Sequence, residues 1–346
     1  EIGSGLVGSE MCIRDRSVSV WEQLVQLPFL NLYSRLLNAA MELDVFSQLC
    51  QPVTAEALAV HMGWHKANTE YLLSALVSIG FLNKTDGTYQ NTAEVDRYLV
   101  KGKDEYLGGF LPFYMQEGMA PMDVKLLVTK GPQSQQQEAM EQQLDFASFA
   151  QRMRQAQEGY RQQELLRIVR SLPENDQIRR VLDLGGATGL LGLAVIGDRP
   201  DRTGVLFDRF PPAVVEESIS LMGLTDRTEV MCGNFMADRI GERYDLILAL
   251  NVMLFAKGRM EELLKKCYDA LNPGGVLLVI SEAILPDHTG PWDMVMGYLP
   301  YYFQGMDMGV LKNEVSDAAV RVGFTKCEKR TECLCSGTQD IDIIRK

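Results

Sequence analysis

The residues of this chain best spaced to do chemistry are an aspartate and three glycines, in Asp183-Leu184-Gly185-Gly186-Ala187-Thr188-Gly189. Val181 to Leu184 read as a short buried strand, and the glycines predict a tight turn into a helix starting near Leu190. Such a turn lets a ligand approach bare backbone. A second acid, Asp208, ends the next predicted strand, where a carboxylate can accept hydrogen bonds from a ribose diol. A nucleoside-bearing cofactor is the first inference.

The spacing narrows the nucleoside. A dinucleotide fingerprint needs G-x-G-x-x-G, whereas here Gly185, Gly186 and Gly189 follow Asp183. This pattern resembles the acidic-x-G-x-x-x-G loop of class I S-adenosylmethionine-dependent methyltransferases, which accommodates a methionine moiety and no pyrophosphate. A glycine turn alone is a weak signal. Three further segments follow in the expected order: Phe207-Asp208, Cys232-Gly-Asn-Phe235, and Tyr244–Leu250 followed by Leu271–Val279.

These residues need a frame to hold them. From Val181 onward predicted strands and helices alternate, as a doubly wound, mostly parallel sheet requires, and Thr325–Leu334 with Gln339–Ile344 read as a closing antiparallel hairpin. Phe146, Phe149, Met153 and Tyr160 fall on one face of a long predicted helix running into Leu165–Val169, most simply a core stripe. Upstream, apolar residues recur at helical spacing over Val20–Leu49, with an interruption at Pro28. Thr54 caps a predicted helix Ala55–Met62, a second runs over about His65–Ile79, and Phe81–Asn91 is a hairpin turning at Asp86-Gly87. Helix, helix, hairpin is the order of a winged helix. The polar, breaker-rich stretch from Gly131 reads as a linker. The expected organisation is a winged-helix domain over 18–130, a linker over 131–145 and a catalytic domain over 146–346. Residues 1–17 fit neither periodicity. Glu1–Arg16 resembles the conceptual translation of a sequencing adapter, is no signal peptide, and is set aside as a non-native leader.

Composition excludes several classes of function. A net charge of −12 argues against binding nucleic acid, and the would-be recognition helix sets Lys66 against Glu70 and has no arginine. No apolar run approaches a membrane span. The seven cysteines form no disulfide framework and complete no zinc spacing, so ordinary thiols of a cytoplasmic protein and no metal site are expected.

Val20–Lys346 as a whole resembles the small-molecule O-methyltransferases that carry a winged-helix dimerisation domain before a class I catalytic domain. The resemblance implies S-adenosylmethionine as cofactor and an aromatic or polyketide-like acceptor. It also implies a homodimer formed through the N-terminal domain, whose amphipathic Val20–Leu49 segment has more apolar surface than a lone winged helix can cover. It assigns Asp183, Gly185, Gly186 and Gly189 to the methionine moiety, Asp208 to the ribose, and Asn234, Phe235 and Leu250 to the rest of the cofactor site. Asn234 stands where the family usually has aspartate, and Ala187 where it often has glycine. The acceptor pocket is expected from Phe149, Met153, Asn251, Leu254, Tyr298 and Tyr302. One departure touches the chemistry directly. Leu254 occupies the place of the family's histidine base, leaving Glu282, the family's companion carboxylate, as the principal group for acid–base or orienting work. A second family carboxylate has no counterpart, since Gly309 falls near its position with Asp307 close by. His288, on the rim after the fifth strand of the catalytic domain, is the second catalytic candidate, whereas His61 and His65 read as solvated or capping residues. Methyl transfer to oxygen is the leading expectation. The alternatives are transfer to nitrogen or carbon, and a cofactor-binding homologue that runs a different reaction.

Overall fold

Ser19 caps the first described helix. Its hydroxyl accepts the Glu22 N–H at 3.2 Å while the Glu22 carboxylate accepts the Ser19 N–H at 2.8 Å, a reciprocal cap that starts α1 (Val20–Glu42). The computed structural model describes residues 19–112, 122–132 and 153–346, so the 1–17 leader and Phe149 lie outside the described residues. The chain forms two compact units, dividing between Gly102 and Lys103.

In the first unit the expected interruption at Pro28 does not occur, and α1 runs through it. Proline removes one helical hydrogen bond, whose acceptor would be the Leu24 carbonyl. Leu24 is exposed, so water can take that role. Only Leu37, Ala40 and Met41 of α1 are buried, while Trp21, Leu24, Leu27, Phe29, Leu30 and Leu32 are exposed. Thr54 caps α2 (Ala55–Met62) by accepting the Ala57 N–H, and Gly63 ends it in the left-handed conformation. His65 Nδ1 caps α3 (Lys66–Ser78) by accepting the Asn68 N–H at 3.3 Å. Lys66 pairs with Glu56 instead of standing free. A small sheet then forms from β1 (Val53–Thr54), β2 (Leu82–Thr85) and β3 (Thr88–Asn91), with Asp86 and Gly87 both at positive φ in the turn, before α4 (Ala93–Tyr98).

The second unit opens with α5 (Val124–Lys130) and a helical stretch over 153–157. The single long helix expected around Tyr160 is broken at Gly159, at φ 66°, where a Cβ would run into the Tyr106 carbonyl. α6 (Tyr160–Arg170) starts there afresh. The sheet and its helices follow: β4 (Arg180–Leu184), α7 (Leu190–Gly197), β5 (Thr203–Asp208), α8 (Pro212–Leu221), β6 (Thr228–Cys232) and β7 (Tyr244–Leu250). Then come α9 (Met260–Ala270), β8 (Leu271–Glu282), α10 (Trp292–Tyr302), α11 (Glu314–Val322), β9 (Lys326–Leu334) and β10 (Gly337–Arg345). The seven strands lie in the order β6-β5-β4-β7-β8-β10-β9, parallel from β6 to β8, with β10 antiparallel to both its neighbours. This is the class I methyltransferase architecture expected from the alternating pattern. The central strands are near-continuous apolar runs because both faces are covered, one by a core around Leu263, Leu264 and Val315, the other by a core around Leu165, Val169 and Leu193. The strand order reverses at β4, so a crevice opens beyond the carboxyl ends of β4 and β7. No helix among the described residues is long and apolar enough to cross a membrane.

Candidate active site

The loop after β4 is built around an aspartate with almost no space around it. Asp183 is buried, and its Oδ2 accepts the Gly192 N–H at 3.1 Å. A Cβ on Gly186 would run into the Asp183 carboxylate, and one on Gly192 would sit 2.5 Å from the Asp183 Cβ. Gly185 takes φ 72° and donates to the Phe207 carbonyl at 2.7 Å, with Val252 2.6 Å from where its Cβ would lie. Gly189, at φ 78°, turns the chain into α7. Ala187 keeps the loop's shape despite its side chain. It adopts φ 56° and donates its N–H to Asp208 Oδ2 at 2.7 Å, while Asp208 Oδ1 accepts from Phe210 at 3.0 Å. Burial pushes the Asp183 carboxyl up to about 7, with the nearby Asp208 charge adding to the rise and the Gly192 N–H opposing it. Asp183 Oδ1 has no hydrogen-bond partner among the described residues.

Two residues absent from the sequence-based expectations hold this region. Gln157 clamps the loop, donating to the Gly186 carbonyl at 3.0 Å and accepting from the Thr188 hydroxyl at 2.6 Å. Arg161 reaches Asn251 Oδ1 at 3.5 Å and lies 5.4 Å above the Phe110 ring. Each contact joins segments far apart in sequence, and no local pattern announces either. Asn251 caps β7 at φ 55°, its N–H donating to Ile280 at 2.8 Å. Leu250, the last residue of β7, packs against the core beside α6 and borders a small, partly open cavity of about 10 Å³ with Arg161, Glu164 and Ile280. After β6, Asn234 is exposed and its side-chain carbonyl accepts the Met236 N–H at 3.0 Å, so the amide nitrogen is the end left over. Phe235 is buried, close to where a Gly185 Cβ would lie.

Across the crevice, the end of β8 brings together four of the expected residues. Glu282 is buried, and the Tyr298 hydroxyl donates to its Oε1 at 2.5 Å. Its Oε2 has no hydrogen-bond partner among the described residues. Burial raises the Glu282 pKa above the usual carboxylate range, while the Tyr298 donation, its own backbone, the Val310 backbone and the Asn251 side chain pull the other way. Tyr302 lies one turn further along α10, its ring 6.5 Å from that of Tyr298. The His288 ring meets Tyr302 edge-on at 5.3 Å. Leu254 lies half-buried against the core that includes Met253 and Ala256. Met153 is half-buried in the stretch 153–157.

Comparison with known proteins places the chain in a family. Residues 132–314 match the O-methyltransferase domain model, and residues 25–101 match the O-methyltransferase dimerisation domain. The chain is 27% identical over 267 residues to the 3-hydroxy-5-methyl-1-naphthoate 3-O-methyltransferase of Streptomyces sahachiroi, covering 75% of this chain and 76% of that one. It is 24% identical over 321 residues to the N,N-dimethyltransferase OxyT of Streptomyces rimosus, covering 86% of each. The solved structure of human N-acetylserotonin methyltransferase in complex with SAM superposes with a TM-score of 0.68 at 20% identity, covering 96% of this chain and 99% of the other. The catalytic model covers more than half of the sequence and falls on the unit that carries the glycine loop and Glu282. The chain belongs to the O-methyltransferase family and is an S-adenosylmethionine-dependent methyltransferase acting on small molecules.

Proposed function

We propose that this enzyme methylates a hydroxyl of a small aromatic acceptor, with Glu282 as the proton-accepting group. The observation that carries this reading is the buried Glu282, fixed through one oxygen by Tyr298 and with no hydrogen-bond partner among the described residues on the other. Oε2 takes the acceptor's proton, while Tyr298 keeps the carboxylate from turning away. The packing of Leu254 into the core supports a site without a basic side chain at that position. S-adenosylmethionine, when bound, supplies an electrophilic methyl group on a sulfonium sulfur.

The residues present fit that cofactor. Gly186 and Gly192 leave no room for side chains against Asp183, and Asp183 Oδ1 is buried without a partner among the described residues. Asp183, Gly185, Gly186 and Gly189 would hold the methionine moiety. Each Asp208 oxygen takes one backbone N–H and keeps a further acceptor site for a ribose diol. The Asn234 amide nitrogen and Phe235 would face the adenine. Formation of S-adenosylhomocysteine on a panel of phenols tests the reaction, and calorimetry with the same compound tests the cofactor site. Asp208→Ala should weaken its binding by about tenfold or more, the scale of losing charge-assisted hydrogen bonds. Equal binding by that variant would remove Asp208 from the site.

A second acceptor chemistry has one observation in its favour. With Leu254 in the core, a nitrogen or carbon nucleophile that needs no strong base would be served by in-line holding alone. An N,N-dimethyltransferase is among the similar proteins. Amine and phenol acceptors assayed side by side separate the two.

The exposed apolar face of α1 supports a homodimer through the N-terminal unit. Light scattering at micromolar protein should give twice the chain mass, and Trp21→Glu with Leu24→Glu should give the single-chain mass. A wild-type monomer would overturn this. The cysteines of the described residues are all free, which supports a reducing, cytoplasmic setting.

A further inference from the structure

Tyr302 holds a buried hydroxyl with no partner among the described residues, a few residues along α10 from the phenol that binds Glu282. Packing fixes its ring. His288 lies edge-on to one part of it, and Gly309 backs the hydroxyl so closely that a Cβ there would collide with it. A hydroxyl held in place by packing alone is set to meet a ligand, because a buried donor left unpaired costs free energy. Glu282 Oε2 is in the same condition. Two carboxylates lie nearby, one of which, Asp307, is paired with Lys257. Both Asp307 and Glu282 act on Tyr302 and, together with burial, raise its pKa. Lys257, which reaches Asp307, is already held by that carboxylate and by the Gly309 carbonyl, both at 2.6 Å.

We propose that Tyr302 selects the acceptor: an uncharged aromatic with two oxygens, one hydroxyl donating to Glu282 Oε2 and a second oxygen accepting from the Tyr302 hydroxyl. The inference rests on the acceptor site proposed above and adds the chemical class that enters it. A second oxygen satisfies both orphaned atoms at once. A carboxylate-bearing acceptor would bring a like charge toward Glu282, and Lys257 is already held by Asp307 and the Gly309 carbonyl.

The test uses the full-length enzyme and its Tyr302→Phe variant, each saturated with S-adenosylhomocysteine and titrated by calorimetry. The probes are catechol-, resorcinol- and peri-type dihydroxynaphthalenes, the two naphthols, and a hydroxynaphthoate. At least one dihydroxynaphthalene should bind wild type about tenfold tighter than either naphthol, and Tyr302→Phe should cut that preference to about threefold or less. Because the hydroxyl has no hydrogen-bond partner among the described residues, Tyr302→Phe should melt no lower than wild type, unlike the loss of a structural hydrogen bond. A preference that survives in Tyr302→Phe, naphthols that bind as well as every dihydroxy isomer, or tightest binding by the hydroxynaphthoate would each overturn the proposal. The cofactor reading is scored separately. Failure of S-adenosylhomocysteine to bind wild type brings down both, whereas normal cofactor binding without acceptor discrimination sinks this inference alone.

Discussion

Glu282→Gln is expected to lower turnover by about 10²-fold or more while S-adenosylhomocysteine affinity stays within about threefold, the scale of losing one acid–base group. Glutamine keeps the shape of the side chain and can still accept from Tyr298 at the position of Oε1, 2.5 Å from that hydroxyl. It loses only the capacity to take a proton at Oε2. The pH profile gives a second measurement. Burial holds the Glu282 pKa above its ordinary value, and a base must be ionised to act. Wild-type activity should therefore rise with pH through a pKa above the usual carboxylate range, and Glu282→Gln should lose that limb. Wild-type turnover in the variant, or an unchanged acid limb, would move the chemistry to another group.

Gly186→Ala is expected to weaken cofactor binding by about ten- to a hundredfold and to lower the melting temperature, as overpacking a closed site does. One methyl group suffices because Asp183 cannot retreat: Gly192 lies against its other side and donates to it. Gly197→Ala is the matched control. Its Cβ would meet nothing nearer than Leu224 at 3.5 Å, and it lies in α7, where alanine favours the helix. Cofactor affinity like wild type in Gly186→Ala would mean that the loop after β4 is not the cofactor loop.

The parts of this molecule legible in the sequence are those set by local rules. Asp183 and its glycines announce a strand, a turn and a helix because only that chain geometry uses such residues. Thr54 and Asp86-Gly87 mark a cap and a hairpin for the same reason. Glu282 is singled out by the family resemblance, and the apolar run before it marks the strand that it ends. Contacts across the fold left no such trace. Gln157 gripping the Gly186 carbonyl depends on how the stretch 153–157 returns to the sheet, and one glutamine among many carries no mark of it. The break at Gly159 depends on the Tyr106 carbonyl, more than fifty residues earlier. Pro28 misled in the other direction. Its helix-breaking cost is real, but the exposure of Leu24, on which the outcome turns, is a property of the folded unit.

The strand that supports Glu282 has a neighbour made much later. β10 pairs with β8 along its length, setting Gln339 opposite Glu282 and Ile341 opposite Ile280. While the chain is being synthesised, β4 to β8 can assemble as a parallel sheet, but β8 must wait as an open edge with an apolar row exposed. Only when the β9–β10 hairpin emerges can that edge be covered. The glycine loop and Asp208 come earlier, since the residues packed on them, Gln157, Phe235 and Val252, all precede β8. A nascent chain would thus acquire its cofactor loop before its acceptor pocket. Ribosome-bound intermediates stalled between β8 and β10 are the stage most exposed to edge-to-edge association and most in need of a chaperone.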